Sequence, residues 1–274
     1  MMNNDEVREV PGSDSNGAAP VALAVRRMKV EYQSKRTKRK LVAVKDVSFT
    51  VRRGELLCVI GPSGCGKTSV LGALAGLVPF CAGQAEVFGR SITGPGPDRA
   101  VVFQAASLLP WRTVERNIRY GLEIRHVAKK TAAESTARVM EMVGLTKFKD
   151  AYPNELSGGM QQRVNFARAL AGDPEVLLLD EPFAALDAQT RERLQLEIAD
   201  IWQEADKAGV FITHQIDEAV FLADRVIVLS SGPGSTVAAE FEIALERPRS
   251  AATREDPEFQ KLVTRMRQLL GMAC

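Results

Sequence analysis

The sequence predicts an α/β protein: a parallel sheet flanked by helices, an antiparallel β subdomain at its N-terminal side, and an α-helical subdomain inserted between two strands. Three observations carry this. Short, nearly all-apolar stretches such as Glu55 to Ile60 and Val176 to Leu179 have the composition of strands buried on both faces of a parallel sheet. From Glu175 onward such strands alternate with helical stretches, the arrangement that places helices over a parallel sheet. Between them, Thr113 to Gly172 shows helical spacing and few strand signals.

In chain order, apolar alternation over Leu23 to Tyr32 and Val42 to Val51, split by the polar stretch Gln33 to Lys40, predicts an antiparallel pair. The buried strand Glu55 to Ile60 follows, then a glycine-rich turn and a helix over Thr68 to Leu77. Ala100 to Phe103 is the next strand. Within the helical insertion the clearest helix is Ala132 to Val143, with Ala137, Met140 and Val143 on one face and Gly144 as its stop. After Val176 to Leu179 come a long helix over Ala188 to Lys207, a strand at Val210 to Thr213, a short helix near Asp217 to Ala223 and a strand at Arg225 to Leu229. Phe259, Leu262, Val263, Met266, Leu269 and Leu270 stripe an amphipathic helix over Asp256 to Leu270.

Composition bounds the function. A 274-residue chain with 45% hydrophobic and 26% charged residues folds around a core, which excludes disordered and collagen-like readings. A net charge of +2 is too balanced for a dedicated nucleic-acid binder, although Arg26 to Lys40 holds eight basic residues against one acid, Glu31, read as a solvated hairpin. Apolar runs such as Leu56 to Ile60 fall far short of the roughly 20 residues that cross a bilayer. Met1 to Pro20 is polar, without the apolar segment of a secretory signal, and reads as a mobile tail. Cys58, Cys65, Cys81 and Cys274 show neither metal-ligand nor disulfide-framework spacing, which fits a reducing compartment.

The chemistry starts at Gly61-Pro62-Ser63-Gly64-Cys65-Gly66-Lys67-Thr68, which fits G-x-x-x-x-G-K-[ST] between a strand and a helix. Its glycines let backbone N–H groups turn inward around phosphates, and the helix N-terminus adds partial positive charge. Lys67 reaches the outer phosphates, and the Thr68 hydroxyl can bind Mg2+. Ser69 belongs to the same nucleotide-binding set, while Cys65 occupies a free position without a redox role. The strand Val176 to Leu179 ends in Asp180-Glu181-Pro182, placing two carboxylates at the sheet edge where ligands bind in open α/β folds. Asp180 is read as holding Mg2+, and Glu181 as the general base for an attacking water. Leu156-Ser157-Gly158-Gly159-Met160-Gln161-Gln162-Arg163 opens a second helix whose backbone donors are exposed, a cradle beyond what one nucleotide needs.

The phosphate loop, the segment from Leu156 to Arg163 and Leu177-Leu178-Leu179-Asp180-Glu181-Pro182, in this order, resemble the nucleotide-binding subunit of ABC transporters over roughly Leu23 to Pro233. The resemblance implies a P-loop NTPase core over 21–240 with a helical subdomain at about 105–172, followed by a helical tail over 241–274. It implies ATP and Mg2+ as ligands, Tyr32 stacking on adenine, Gln104 at the end of its strand contacting Mg2+ and water, and His214 contacting the γ-phosphate. It further implies a head-to-tail dimer in which Ser157, Gly158 and Gly159 of one subunit close over ATP held by the other, and in which Asp187 joins the two sites.

Ser107 to Val114, Glu181 to Asp187 and Phe221 to Arg225, with Arg247-Pro248-Arg249 and Asp256 to Phe259 near the end, resemble the nitrate, sulfonate and taurine importer group. Gln215 departs from the aspartate that usually follows the histidine, and Ala184 from a glycine. The resemblance implies a peripheral subunit at the cytoplasmic face of the inner membrane. Its partners would be an integral-membrane permease, docking near Leu108, Leu109 and Trp111, and indirectly a solute-binding protein. Other ABC systems, exporting or lipid-transporting, and a soluble non-transport ABC ATPase are the alternatives.

Overall fold

The computed structural model describes residues 19–33 and 39–272. The expected mobile tail therefore lies outside the described residues up to position 18, as do 34–38 of the basic stretch and Cys274.

Among the described residues ten strands form one continuous sheet. Its parallel half runs β6 (Arg99–Val102), β7 (Val176–Asp180), β8 (Ala208–Ile212), β3 (Leu56–Ile60) and β9 (Arg225–Leu229). β10 (Ser235–Glu242) pairs antiparallel to β9 and parallel to β2 (Lys40–Arg52), and so joins the two halves. Beyond β2 the sheet continues antiparallel through β1 (Val21–Gln33), β4 (Ala82–Val87) and β5 (Arg90–Ser91). β3 thus lies at the centre of the parallel half, and its carboxyl end opens onto the loop that enters α1 (Lys67–Leu74).

The period-2 alternation of these strands feeds two cores. Leu56, Cys58 and Ile60 of β3 and Leu177 and Leu179 of β7 face the helices α4 (Gly158–Ala171), α5 (Ala188–Ala205), α6 (Ile216–Leu222) and α7 (Pro257–Met272). Leu57, Val59, Val176 and Leu178 face α1 and the antiparallel strands. Burial of this kind contributes roughly 1.5–3 kcal/mol per large aliphatic side chain, which makes β3 and β7 a rigid support for whatever sits at their ends.

Several elements differ from the sequence reading. α1 stops at Leu74 rather than Leu77, because Gly76 turns the chain at φ +74° and any Cβ there would stand 2.1 Å from the carbonyl carbon of Gly94. The inserted helices are α2 (Val114–Ile124), α3 (Lys129–Met142) and α4. α3 buries Ala132, Thr136, Val139 and Met140, with Val143 beside them, while Ala137 is exposed. Met140 and Val143 are buried as expected, and Ala137 alone falls off the face; Thr136, which donates to Ala132 O at 2.7 Å and so hides its hydroxyl, stands there instead. Gln104 lies two residues beyond β6 and is exposed, not at the strand end. β4, β5 and β10 had no place in the sequence reading. β4 carries Gly83 and polar residues and exists by pairing with β1, whereas Val237, Ala239 and Phe241 gave β10 an alternation that could have found it.

Candidate active site

The turn from β3 into α1 is built by glycine and lysine together. Gly66 caps α1 at φ +94°, and a Cβ there would meet Val44 Cγ2 at 2.8 Å and Ala43 O at 2.9 Å. The loop can lie this close to β2 only without a side chain. Lys67 then folds back, its Nζ donating to Gly61 O at 2.8 Å and Pro62 O at 3.0 Å. The residue is 8% exposed, and among the described residues no carboxylate lies within ion-pair distance of its ammonium. A buried ammonium held by two carbonyls and, at 3.9 Å, by Cys65 Sγ carries a charge that a bound anion can answer.

A cleft of about 650 Å3 opens over this loop. Of the residues singled out in the sequence, Tyr32, Ser63, Gly64, Gly66, Lys67, Thr68, Ser69, Glu181 and His214 line it. Gly61 and Pro62 serve it through their carbonyls, and the Cys65 side chain is wholly buried in the core. Tyr32 arrives from the end of β1, its hydroxyl donating to Ser69 Oγ at 3.1 Å and its ring 40% exposed on the cleft wall. Leu41, Ala43 and Pro233 also line the cleft and went unnoticed in the sequence. β2 and the turn into β10 bring them there, and no local motif marks them.

Two strand ends supply the polar side opposite Lys67. Glu181 adopts φ +44°, a left-handed conformation costly for a non-glycine residue and concentrated at functional sites. Its N–H donates to Ile212 O at 2.9 Å, which ties the end of β7 to that of β8. That junction brings Glu181 Oε2 to 3.2 Å from His214 Nδ1. Asp180 ends β7 half-buried. Burial pushes its carboxyl above the ordinary range, the adjacent Glu181 adds to this, and the charge of Lys67 opposes it. Among the described residues no three His, Cys, Asp or Glu side chains form a metal group. The Thr68 hydroxyl and the Asp180 carboxylate are hard oxygen donors, too few for an all-protein cage but suited to Mg2+ that takes its remaining ligands from phosphates and water.

Ser157, Gly158, Gly159 and Asp187 do not line this cleft. They meet one another elsewhere. Ser157 caps α4, its Oγ accepting from Met160 N at 3.3 Å, and Asp187 caps α5, accepting from Thr190 N at 3.0 Å. A Cβ on Gly159 would stand 3.0 Å from Thr190 Cγ2, and one on Gly158 3.3 Å from Leu186 Cδ2, so the start of α4 rests on the turn that holds Asp187. The Thr190 amide keeps the Asp187 carboxyl below its usual range. Gln104 belongs to neither group, but its loop is held by α4: Phe103 O accepts from Gln162 and Asn165, and Arg168 donates to Ala106 O and Ser107 O. The family resemblance implies that Gln104 links the core to the helical subdomain, but no local motif marked the Gln162, Asn165 and Arg168 contacts that hold its loop.

The profile of the ABC transporter family matches residues 44–184. An uncharacterised ABC transporter ATP-binding protein of Methanocaldococcus jannaschii is 48% identical over 233 residues, covering 85% of each chain. The nitrate import ATP-binding protein NrtD of Synechococcus elongatus is 46% identical over 81% of this chain and 82% of its own. The taurine import ATP-binding protein TauB of Escherichia coli K12 is 45% identical over 79% and 87%. Among solved structures, a dimeric ATP-binding cassette in a post-hydrolysis state bound to ADP and Pi superposes with a TM-score of 0.68 at 27% identity, over 81% of this chain and 98% of that one.

Proposed function

The chain belongs to the ABC transporter family and is an ATPase, and from that premise we propose that it is the ATP-hydrolysing subunit of an importer for a small anion such as nitrate, an alkanesulfonate or taurine. The observation that carries the catalytic part is the cleft itself, lined by a buried lysine with, among the described residues, no carboxylate within ion-pair distance and by a paired glutamate and histidine.

In this reading the triphosphate lies along the loop from Gly61 to Gly66, its charge met by Lys67 and by the N–H groups at the start of α1, and the adenine stacks on Tyr32. Thr68 and Asp180 would hold Mg2+, with Gln104 as a further oxygen donor, and the ion would supply charge neutralisation at the outer phosphates. Glu181 takes the proton of a water that attacks the γ-phosphorus; the bond to the β-phosphate oxygen breaks, and ADP and phosphate result. His214, positioned 3.2 Å from Glu181, faces the γ-phosphate.

Ser157, Gly158, Gly159 and Asp187 act in trans, across a head-to-tail dimer; their separation from the chain's own cleft and the dimeric state of a solved relative support this. Among the described residues no helix is long and apolar enough to cross a membrane. Likeness to import ATP-binding proteins supports coupling through a separate permease, with this chain peripheral at the cytoplasmic face. Trp111, 71% exposed beside the Gln104 loop, offers the docking surface. A solute-binding protein would complete the system, and nucleic acid has no part in it.

The test is tagged Glu181→Gln, incubated with detergent-solubilised host membranes, ATP and Mg2+. ATP-dependent recovery of a multi-span permease, with hydrolysis abolished in the variant, sustains the proposal. Recovery of ribosomes, DNA or only soluble proteins would assign the chain to a non-transport ABC ATPase.

A further inference from the structure

The helix that follows His214 is held from its far side by the C-terminal segment. α6 has only seven residues, from Ile216 to Leu222, too short to be stable by itself. Four arginines of the segment from 247 to 267 grip it. Arg249, 4% exposed, donates to Val220 O, Phe221 O and Ala223 O at 3.4, 3.0 and 2.7 Å, which covers the carbonyl end of the helix with a cation. Arg247 donates to Leu222 O at 2.9 Å and to Asp224. Arg267 pairs with Asp217 in the first turn at 3.0 Å, and Arg254 stacks over the Phe221 ring at 4.3 Å.

A buried relay runs from this grip to the histidine. Arg254 donates to Gln195 Oε1, which fixes the amide so that its Nε2 donates to Glu218 Oε1 at 3.0 Å. Glu218 Oε2 accepts from Thr213 Oγ1 at 2.6 Å, and Thr213 Oγ1 accepts from Gln215 N at 3.0 Å. The residues on both sides of His214 are therefore fixed by α6 and by a glutamine whose orientation the C-terminal segment sets. Gln195 and Glu218 are 2% and 4% exposed, so water offers them little substitute.

We propose that Arg249 and Arg254 are positioning residues for His214, through which the C-terminal segment sets the rate of ATP hydrolysis. A displacement of about 1 Å in a catalytic group can cost up to about a hundredfold in rate, and loosening this relay is expected to cost roughly tenfold. The inference rests on His214 acting at the γ-phosphate.

The experiment uses the full-length chain and measures kcat, KM and ATP affinity for Arg254→Met, Arg254→Lys and Arg249→Lys, with Arg254→Met repeated in the His214→Ala background. Arg254→Met is expected to lower kcat about tenfold with KM and ATP affinity within twofold, and Arg254→Lys to recover most of the loss. In the His214→Ala background Arg254→Met is expected to cost less than twofold more, because groups acting as a unit are not additive. An equal loss in both backgrounds, or an unchanged kcat, overturns the proposal. Unchanged turnover in His214→Ala alone would instead remove the role of His214 on which it depends. A readout free of turnover comes from the imidazole NMR signals, since the chain has two histidines. Arg254→Met and Arg249→Lys should shift or broaden those of His214 and leave those of His126 in place, and unmoved His214 signals would overturn the relay.

Discussion

Replacing Lys67 by methionine separates what the lysine does for the nucleotide from what it does for the fold. The Met side chain keeps the length and most of the volume of the aliphatic stem, so packing in the loop changes little. In the ligand-free protein the substitution gives up two bonds to carbonyls, Gly61 O and Pro62 O, worth about 1 kcal/mol each, and removes an ammonium in a residue only 8% exposed. The lost bonds and the relieved burial oppose each other, and stability without ATP should change by less than about 1 kcal/mol, or about 2–4 °C in melting temperature. With ATP the balance is one-sided. A unit charge pair at about 4 Å and an effective dielectric of about 20 is worth about 4 kcal/mol, and 1.4 kcal/mol is tenfold, so ATP affinity should fall by about a hundred- to a thousandfold. Thermal scans read both at once. ATP at about 100 times the wild-type dissociation constant should stabilise the wild type by about 2.7 kcal/mol and Lys67→Met by no more than about 0.4 kcal/mol. A variant that keeps the ATP-induced increment, or that loses more than about 3 kcal/mol without ATP, refutes this account of the loop.

Tyr32→Ala should weaken ATP binding by about 1–3 kcal/mol through the lost stacking face, while Tyr32→Phe, which forfeits only the bond to Ser69 Oγ, should stay near wild type by calorimetry. Gly209→Ala places a Cβ 2.1 Å from Trp202 Cη2 and 2.8 Å from Leu56 Cδ1, and should cost at least about 1–3 kcal/mol in denaturant unfolding with a change in Trp202 emission. The Asp187 carboxyl is held low by the Thr190 amide, so its share of stability is present above the ordinary aspartate value and fades as the pH falls through the depressed folded value. Asp187→Asn should accordingly unfold more easily than wild type at neutral pH, with the gap closing in acid.

The parallel half of the sheet was legible in the sequence because each of its strands is a local apolar run. The phosphate loop was legible because eight consecutive residues do their work in one turn, and α7 because its apolar stripe buries Phe259, Leu262, Val263 and Met266. β4 and β5 were not, since their residues have weak strand character and become strands only by pairing with β1. The site divides in the same way. Lys67 and Glu181 could be picked out by motif, but that Glu181 reaches His214 depends on the pairing of β7 with β8, between residues about thirty positions apart. Leu41, Ala43 and Pro233 enter the cleft only because β10 crosses between the two halves of the sheet. Arg247-Pro248-Arg249 stood in the sequence as part of a resemblance to an importer group, and its grip on α6 emerged from the fold. The physical reason is range: apolar periodicity and backbone-donor loops are written in neighbouring residues, whereas long-range hydrogen bonds and strand neighbours are fixed only when distant segments share one core.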